Sequence, residues 1–200
     1  MFTGIIHHQG LFKGYRSAKK ELAVEVPPSF PTLERGESVA VDGVCLSLLH
    51  REVNALFFNL SQETLAKTSL GSLRGGEKLN LELPLTLQTP VSGHLVNGHI
   101  DGLGRVLRVV EQRPGRRLTI SFSRQLRPYF VPKGSVAVNG VSLTVAEVRP
   151  TSFDVELIPL TVAESNLKDL KPGRAVNLEC DIIGKYVYNW MSREKKGLEI

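Results

Sequence analysis

Two related all-β domains, each a small closed barrel, followed by a single C-terminal helix, form the fold class that the sequence predicts. Three observations point to it. The string SVAVDGVCLSL at residues 38–48 returns as SVAVNGVSLTV at 135–145, and an offset of 97 aligns 38–83 with 135–180 without a gap, with 16 identities in 46 positions. An Asp-Gly or Asn-Gly dipeptide interrupts each copy. These residues tolerate positive φ, so the dipeptide marks a tight turn between antiparallel strands. Turn signals also recur about every ten residues between short alternating runs, the pattern of a small barrel rather than of a parallel sheet.

Each element follows in chain order. TGIIHHQGLF (3–12) opens the first half as a glycine-containing, strand-like segment; at an offset of 94 it lies on NGHIDGLGRV (97–106), with Gly4 on Gly98 and Gly10 on Gly104. The strands SVAV and VCLSL flank the turn at Asp42 and Gly43. NALFFNL (54–60) and EKLNLEL (77–83) are further strands, and SQETLAKTSL (61–70) between them reads as a short helix that starts at a serine and ends near glycine. The second half repeats the plan with RLTISFS (117–123), SFDVELI (152–158), the short helix TVAESNLKDL (161–170) and AVNLEC (175–180). IIGKYVYNWMSREKKG (182–197) has no counterpart after the first half. Its Val187, Trp190 and Met191 share helical spacing, and Arg193, Lys195 and Lys196 suit the negative end of a helix dipole. A helix that joins subunits is therefore expected there. The expected boundaries are 1–92 and 93–184 for the barrels and 185–200 for the helix. Two copies are too few for a solenoid.

Composition narrows the function. At 200 residues with 42% hydrophobic and 22% charged residues, the chain suits two small globular domains. No run reaches the roughly 18 apolar residues of a membrane span. The start MFTGIIHHQG lacks the basic and apolar regions of a signal peptide, so a cytoplasmic location without membrane partner is expected. Cys45 and Cys180 are the two cysteines, with no CxxC, which argues against a disulfide scaffold or a metal site. The net charge of +5 is scattered and aromatics are 6%, so no nucleic-acid partner is expected. A flavin-dependent reductase would need a glycine-rich strand–turn–helix fingerprint, which the chain lacks.

MFTGII, GESVAVDGVCLSL (36–48), GHLVNGHIDGLG (93–104), KGSVAVNGVSLTV (133–145), IPLTVAESNL (158–167) and VNLECDIIGKYV (176–187), in this order across nearly the whole chain, resemble riboflavin synthases of the alpha-subunit type, the lumazine-binding domain family. The resemblance implies a homotrimer whose subunits hold two six-stranded antiparallel Greek-key barrels, each binding one 6,7-dimethyl-8-ribityllumazine. It implies a dismutation in which one lumazine gives a four-carbon unit to the other. The products are riboflavin and 5-amino-6-ribitylamino-pyrimidinedione, and neither cofactor nor metal takes part. The site would lie between the N-terminal barrel of one subunit and the C-terminal barrel of a neighbour, and association with lumazine synthase is a further implied partnership.

Carried over by motif, the first site would use Gly4, Ile5 and Ile6, then Cys45, Leu46 and Ser47, then Asn59, Leu60, Ser61, Gln62, Glu63 and Thr64. The second would use Gly98, His99 and Ile100, then Ser142, Leu143 and Thr144, then Ile158, Pro159, Leu160, Thr161, Val162 and Ala163, with Lys133 reaching in from the neighbouring subunit. Such a set suits the ligand: a planar heterocycle needs backbone groups at an exposed strand edge, and hydroxyls can hold its ribityl chain. The implied catalytic residues are His99 as base toward the C7 methyl, Cys45 and Ser142 in the transfer, Lys133 against developing negative charge, and Ser38 and Asn139. The family context favours His99 over His94. Asn139 departs from the family, which usually has Asp there; the amide keeps the turn but carries no charge, so restoring Asp is expected to raise the rate or leave it unchanged. Asn80 and Asn177 in the repeated NLE read as structural. The alternative function is a non-catalytic lumazine or flavin carrier, although GVCLS and NGHIDG are retained here.

Overall fold

The computed structural model describes residues 1–18 and 20–194. The first barrel is built from β1 (His8–Arg16), β2 (Glu21–Glu25), β3 (Ser38–Val41), β4 (Val44–Glu52), β5 (Ala55–Asn59) and β6 (Lys78–Glu82), closed in the order β1-β2-β5-β4-β3-β6. The second uses β7 (Gly102–Gln112), β8 (Gly115–Ser121), β9 (Ser135–Val138), β10 (Val141–Val148), β11 (Ser152–Leu157) and β12 (Ala175–Cys180) in the matching ring β7-β8-β11-β10-β9-β12. All neighbours are antiparallel, and in each barrel a hairpin (β3–β4, β9–β10) separates in sequence two strands that pair in space, which is the Greek-key connection. Closure gives every strand a neighbour on both sides along at least part of its length, which protects the barrels from edge-to-edge aggregation. The short strand β2, ELAVE, carries no turn dipeptide to announce it; its Leu22 and Val24 are fully buried.

The two expected short helices are each broken. The chain forms α1 (Gln62–Lys67) and α2 (Pro159–Glu164), then one extended residue, then a 3-10 turn at Ser69–Ser72 or Asn166–Asp169. The break falls at Thr68 and Ser165, whose hydroxyls accept the N–H of Leu70 and Leu167 and so cap the second turn. The kink turns Leu70 and Leu167 inward, where both are fully buried in their barrel cores. The final helix α3 (Ile182–Glu194) docks on the second barrel through Tyr188 edge-on to Tyr129 (5.4 Å between centroids) and through Lys185 to Asp101 at 2.6 Å. Its Ile183, Tyr186, Val187, Trp190 and Met191 are exposed. Of the basic residues expected at its end, Lys195 and Lys196 lie outside the described residues.

The barrels meet at their β3–β4 and β9–β10 turns. Asp42 (φ 46°) and Gly43 (φ 78°) face Asn139 (φ 45°) and Gly140 (φ 78°) back to back. A Cβ on Gly43 would sit 2.6 Å from the Gly140 nitrogen, so this contact admits no side chain. Around it lies a buried polar network. The backbone N–H groups of Asn80 and Asn177 donate to Asp42 Oδ1 (2.8 Å) and Asn139 Oδ1 (2.9 Å). Their side-chain amides cross the junction, Asn80 to the Asn139 carbonyl and Asn177 to the Asp42 carbonyl, both at 2.9 Å. Asn166 adds its N–H to Asn80 Oδ1 (2.7 Å) and its amide to Asp42 Oδ1 (2.8 Å). Beside the network Phe2, Ala40, Val96 and Ala137 form a small apolar cluster, and Phe2 and Val96 exchange N–H···O bonds of 2.7 and 3.0 Å.

Burial pushes the Asp42 carboxyl up from 3.8 to about 7, against the pull of its amide donors and of Arg174. Below pH 3.8 folded and unfolded chains both hold the proton. As pH rises through about 7 the folded chain must give it up at a cost, so this group's stabilising contribution is present at low pH and lost by neutrality. Asn at this position still offers an Oδ1 to both donors. The Asp42→Asn variant is therefore expected to match the wild type in urea unfolding near pH 4 and to become progressively the more stable as pH rises to 8; a pH-independent difference would refute the buried charge.

Candidate active site

Strand β4 pairs with β3 from Ser38↔Ser47 to Val41↔Val44, but with β5 only from Leu48↔Phe58 onward. Cys45, Leu46 and Ser47 are therefore laddered on one side, and the gap opposite them is a cavity of about 400 Å³. Cys45, Leu46, Ser47, Asn59, Ser61 and Thr64 all line it, together with Arg35, Gly36, Leu48 and Leu49. Its hydroxyls are ordered by the start of α1, where Ser61 Oγ lies 2.8 Å from Thr64 Oγ1 and accepts the Thr64 N–H at 3.0 Å. The second barrel repeats the design: β10 pairs with β9 over Val141–Thr144 and with β11 only from Val145. Ser142 and Thr144 thus occupy the equivalent edge.

The expected grouping of the glycine segments is exchanged. The Cys45 N–H donates to the Gly98 carbonyl (2.9 Å), and the Ser142 N–H donates to the Gly4 carbonyl (2.8 Å). Ile100 packs on the first barrel's core and Ile6 belongs to the second's. The physical reason is the Phe2–Val96 pair, which carries both segments across the junction, so each reaches the barrel opposite its own. At both crossings glycine is required: the backbone is left-handed (φ 76° and 80°), and a Cβ would lie 2.6 Å from Ser142 Cβ at Gly4 and 2.5 Å from Cys45 Cβ at Gly98.

The two pockets differ in their reactive groups. Ser142 Oγ lies 2.7 Å from His94 Nδ1. His94 is 9% exposed, burial lowers its pKa, and its Nε2 is buried without a hydrogen-bond partner among the described residues. A neutral imidazole so placed can accept the serine proton. In the first pocket the half-buried Cys45 stands beside Gly98, with the exposed His99 next along the same segment. The other cysteine, Cys180, is buried, and its thiol is pushed up to about 12 chiefly by that burial, which leaves it unreactive.

Other expected residues fall variously. Ser38 lies opposite Ser47 in the ladder, and Thr144 opposite Ser135. Leu60 and Leu143 are core residues of the first and second barrel. Gln62 and Glu63 are exposed, and Glu63 pairs with Lys67 at 2.8 Å. Around the second pocket Ile158 and Leu160 are 61% and 66% exposed, Pro159 and Ala163 are exposed, Thr161 accepts the Ser165 hydroxyl through its carbonyl, and Val162 packs on the core. Lys133 is exposed with φ 67°; its N–H donates to Val145 just as that of its repeat counterpart Gly36 donates to Leu48, so it stands at the rim of the second pocket. Asn139 points into the barrel junction: its Oδ1 takes the Asn177 N–H and its Nδ2 reaches Asn166 Oδ1 at 3.4 Å, beside a cavity that Asp42 and Asn166 also line. Sequence reasoning missed Arg35, His94 as the partner of Ser142, and Glu82 and Glu179, although the repeated NLE marked the last two. No cluster of three or more metal-ligating side chains occurs among the described residues.

Fold and strand-edge geometry together define a tandem barrel protein with two related candidate sites. The model of the lumazine binding domain matches residues 3–84 and again 97–181. Riboflavin synthase of Actinobacillus pleuropneumoniae is 35% identical over 97% of this chain and 91% of its own length, and that of Chlamydia pneumoniae is 36% identical over 96% of each. The chain belongs to the riboflavin synthase family and carries its two lumazine binding domains. Among solved structures, LumP complexed with riboflavin superposes with a TM-score of 0.81 at 22% identity, covering 90% of this chain and 99% of that one. LumP complexed with 6,7-dimethyl-8-(1'-D-ribityl) lumazine gives 0.79, also at 22% identity and the same coverage. These two show the shared fold.

Asp at position 139 would set a carboxylate against Asn166 Oδ1 and add a second buried acid to a network that already contains Asp42. The expectation for Asp at this position concerned the rate; the surroundings of Asn139 add a consequence for stability. Asn139→Asp should cost about 1–3 kcal/mol in urea unfolding at pH 8, with a smaller loss at pH 5, where a buried carboxyl takes up its proton. Equal stability at both pH values would contradict this placement.

Proposed function

We propose that this chain is a riboflavin synthase acting as a transferase: two molecules of 6,7-dimethyl-8-ribityllumazine bind, one per barrel, and a four-carbon unit passes between them to give riboflavin and 5-amino-6-ribitylamino-pyrimidinedione. The observation that carries the proposal is one half-paired strand edge built twice, with a thiol at Cys45 in one copy and a hydroxyl bonded to His94 at Ser142 in the other. A dismutation uses one substrate in two roles. It calls for two sites of the same shape and different chemistry.

In this reading the barrels are the two lumazine-binding domains, 1–92 and 93–184. The backbone edges at Cys45–Ser47 and Ser142–Thr144 hold the heterocycles, and hydroxyls such as Ser61 and Thr64 hold a ribityl chain. His99 takes a proton from the C7 methyl of one lumazine, whose carbanion is delocalised into the ring. Ser142, with His94 to receive its proton, or Cys45 supports addition at C7 of the other. Lys133 offsets developing negative charge. The pockets work in pairs across a homotrimer, the first barrel of one subunit facing the second of its neighbour. The exposed Ile158 and Leu160 beside the second pocket, and the exposed apolar residues of α3, support such contacts. We place the trimer in the cytoplasm in association with lumazine synthase; no helix among the described residues is long and apolar enough to cross a membrane.

The fold likeness to LumP supports a second reading, a carrier that binds lumazine without turning it over. Mixing the protein with 6,7-dimethyl-8-ribityllumazine separates the two. Growth of riboflavin fluorescence, one riboflavin for each two lumazines consumed, is the expected result; tight binding without turnover would leave the carrier. His99→Ala is expected to slow turnover about tenfold or more, and a near-normal rate would remove it from the base role. Truncation after Gly184 is expected to weaken the trimer in sedimentation, whereas an undiminished trimer would refute the role of α3.

A further inference from the structure

We propose that Glu82 and Glu179 are positioning residues, each holding from its own barrel the segment that completes the other barrel's pocket. The inference rests on the reading of these pockets as substrate sites. Both carboxylates end the repeated NLE strand, and both are buried, 6% and 2% exposed. Glu82 accepts the Thr3 N–H (2.7 Å), the Thr3 hydroxyl (2.8 Å) and, through its second oxygen, the Gly4 N–H (3.0 Å). The next group along, the Gly4 carbonyl, accepts the Ser142 N–H. Glu179 likewise accepts the N–H groups of Asn97 (2.7 Å) and Gly98 (2.9 Å), and the Gly98 carbonyl accepts the Cys45 N–H. Each route runs from one barrel, through a left-handed glycine, to the reactive residue of the other.

Ordinary packing does not require an ion here. A buried carboxylate is expensive, and two sites that keep one at the same repeat position use it to collect N–H donors that a neutral side chain would satisfy less completely. The glycine geometry makes the grip directional: with φ near +80°, the peptide before the glycine turns its N–H to the carboxylate while the carbonyl after it faces the strand edge of the opposite barrel. The residues set in place immediately afterwards are Ile5 and His99, so Glu179 positions His99 without touching substrate. Burial raises the pKa of both carboxyls. Besides its donors, Glu82 has the positive influence of His7, whereas Glu179 has Lys185 near it and Asp101 opposing. A protonated carboxyl presents a donor to N–H donors, so acid should loosen both grips.

The test uses the full-length chain with Glu82→Gln and Glu179→Gln, each keeping shape and losing charge. Three readouts are taken: the alkylation rate of Cys45 for the first pocket, the amide NMR shift of Ser142 for the second, and binding of riboflavin with turnover of lumazine. The expected pattern is crossed. Glu179→Gln changes Cys45 alkylation severalfold and lowers kcat about tenfold with less effect on KM; Glu82→Gln moves the Ser142 amide and leaves Cys45 unchanged. Lowering the pH should also move the Cys45 amide NMR shift of the wild type as acid weakens the Glu179 grip, a movement absent from Glu179→Gln. Effects confined to each glutamate's own barrel, equal in both, or absent would overturn the proposal. If Glu82→Gln does not fold, Thr3→Val, which removes one donor to Glu82, must move the Ser142 amide and spare Cys45, and failure to do so overturns it equally. The first two readouts need no turnover, so a crossed pattern in a protein inactive toward lumazine would sink the proposed function and leave this one standing.

Discussion

The contact between the Gly43 and Gly140 turns is the constraint on which the rest of the structure depends. Two left-handed turns can stack this closely only when neither carries a Cβ. Once they meet, the backbone groups around them are cut off from water and must find partners, and the fully buried Asn80 and Asn177 supply them from both sides. The junction is therefore a rigid polar joint rather than a greasy one. A slipped arrangement would strand several buried amides at once, which makes one relative placement of the barrels far better than its neighbours.

From that placement the pockets follow. Phe2 and Val96 pair across the same interface, so the segments that begin at Thr3 and Asn97 emerge on the far side, each bound by its own barrel's glutamate and laid against the other's strand edge. Each of the two strand edges is thus bonded to a segment held by the other barrel. At the junction and at the two strand edges, the divergence after duplication turns on a few letters. At the junction the pair Asp42 and Asn166 stands where the other side has Asn139 and Ser69, one carboxylate with a matching amide donor on one side only. At the pockets Cys45 answers to Ser142, and His94 serves the serine alone.

Much of this was legible in the sequence, for physical reasons. A gapless repeat with turn dipeptides at matching places reveals two like barrels because strand alternation and positive φ are local requirements, readable residue by residue. Cys45 and Ser142 stood out as the changed letters of the repeated strand. The exchange of Gly4 and Gly98 was not legible: an alignment of the halves identifies counterparts but is silent on which copy each one touches, and the crossing depends on a nonlocal bridge. Asn139 illustrates a related point, since the residue type that suits a tight turn is the same whether its side chain faces a ligand or another domain. The broken helices show a tertiary demand overriding a local pattern, with Thr68 and Ser165 capping new turns so that Leu70 and Leu167 can enter the cores.

Residue-resolved amide hydrogen exchange addresses the reciprocal construction most directly. The N–H groups of Cys45 and Ser142 are bonded to segments held by the opposite barrel, while those of Phe2 and Val96 seal the junction itself. The account predicts that all four open together, with one free energy and one denaturant dependence, as a single cooperative unit distinct from the barrel cores. Exchange of Cys45 with the other amides of the first barrel, and of Ser142 with those of the second, would contradict it.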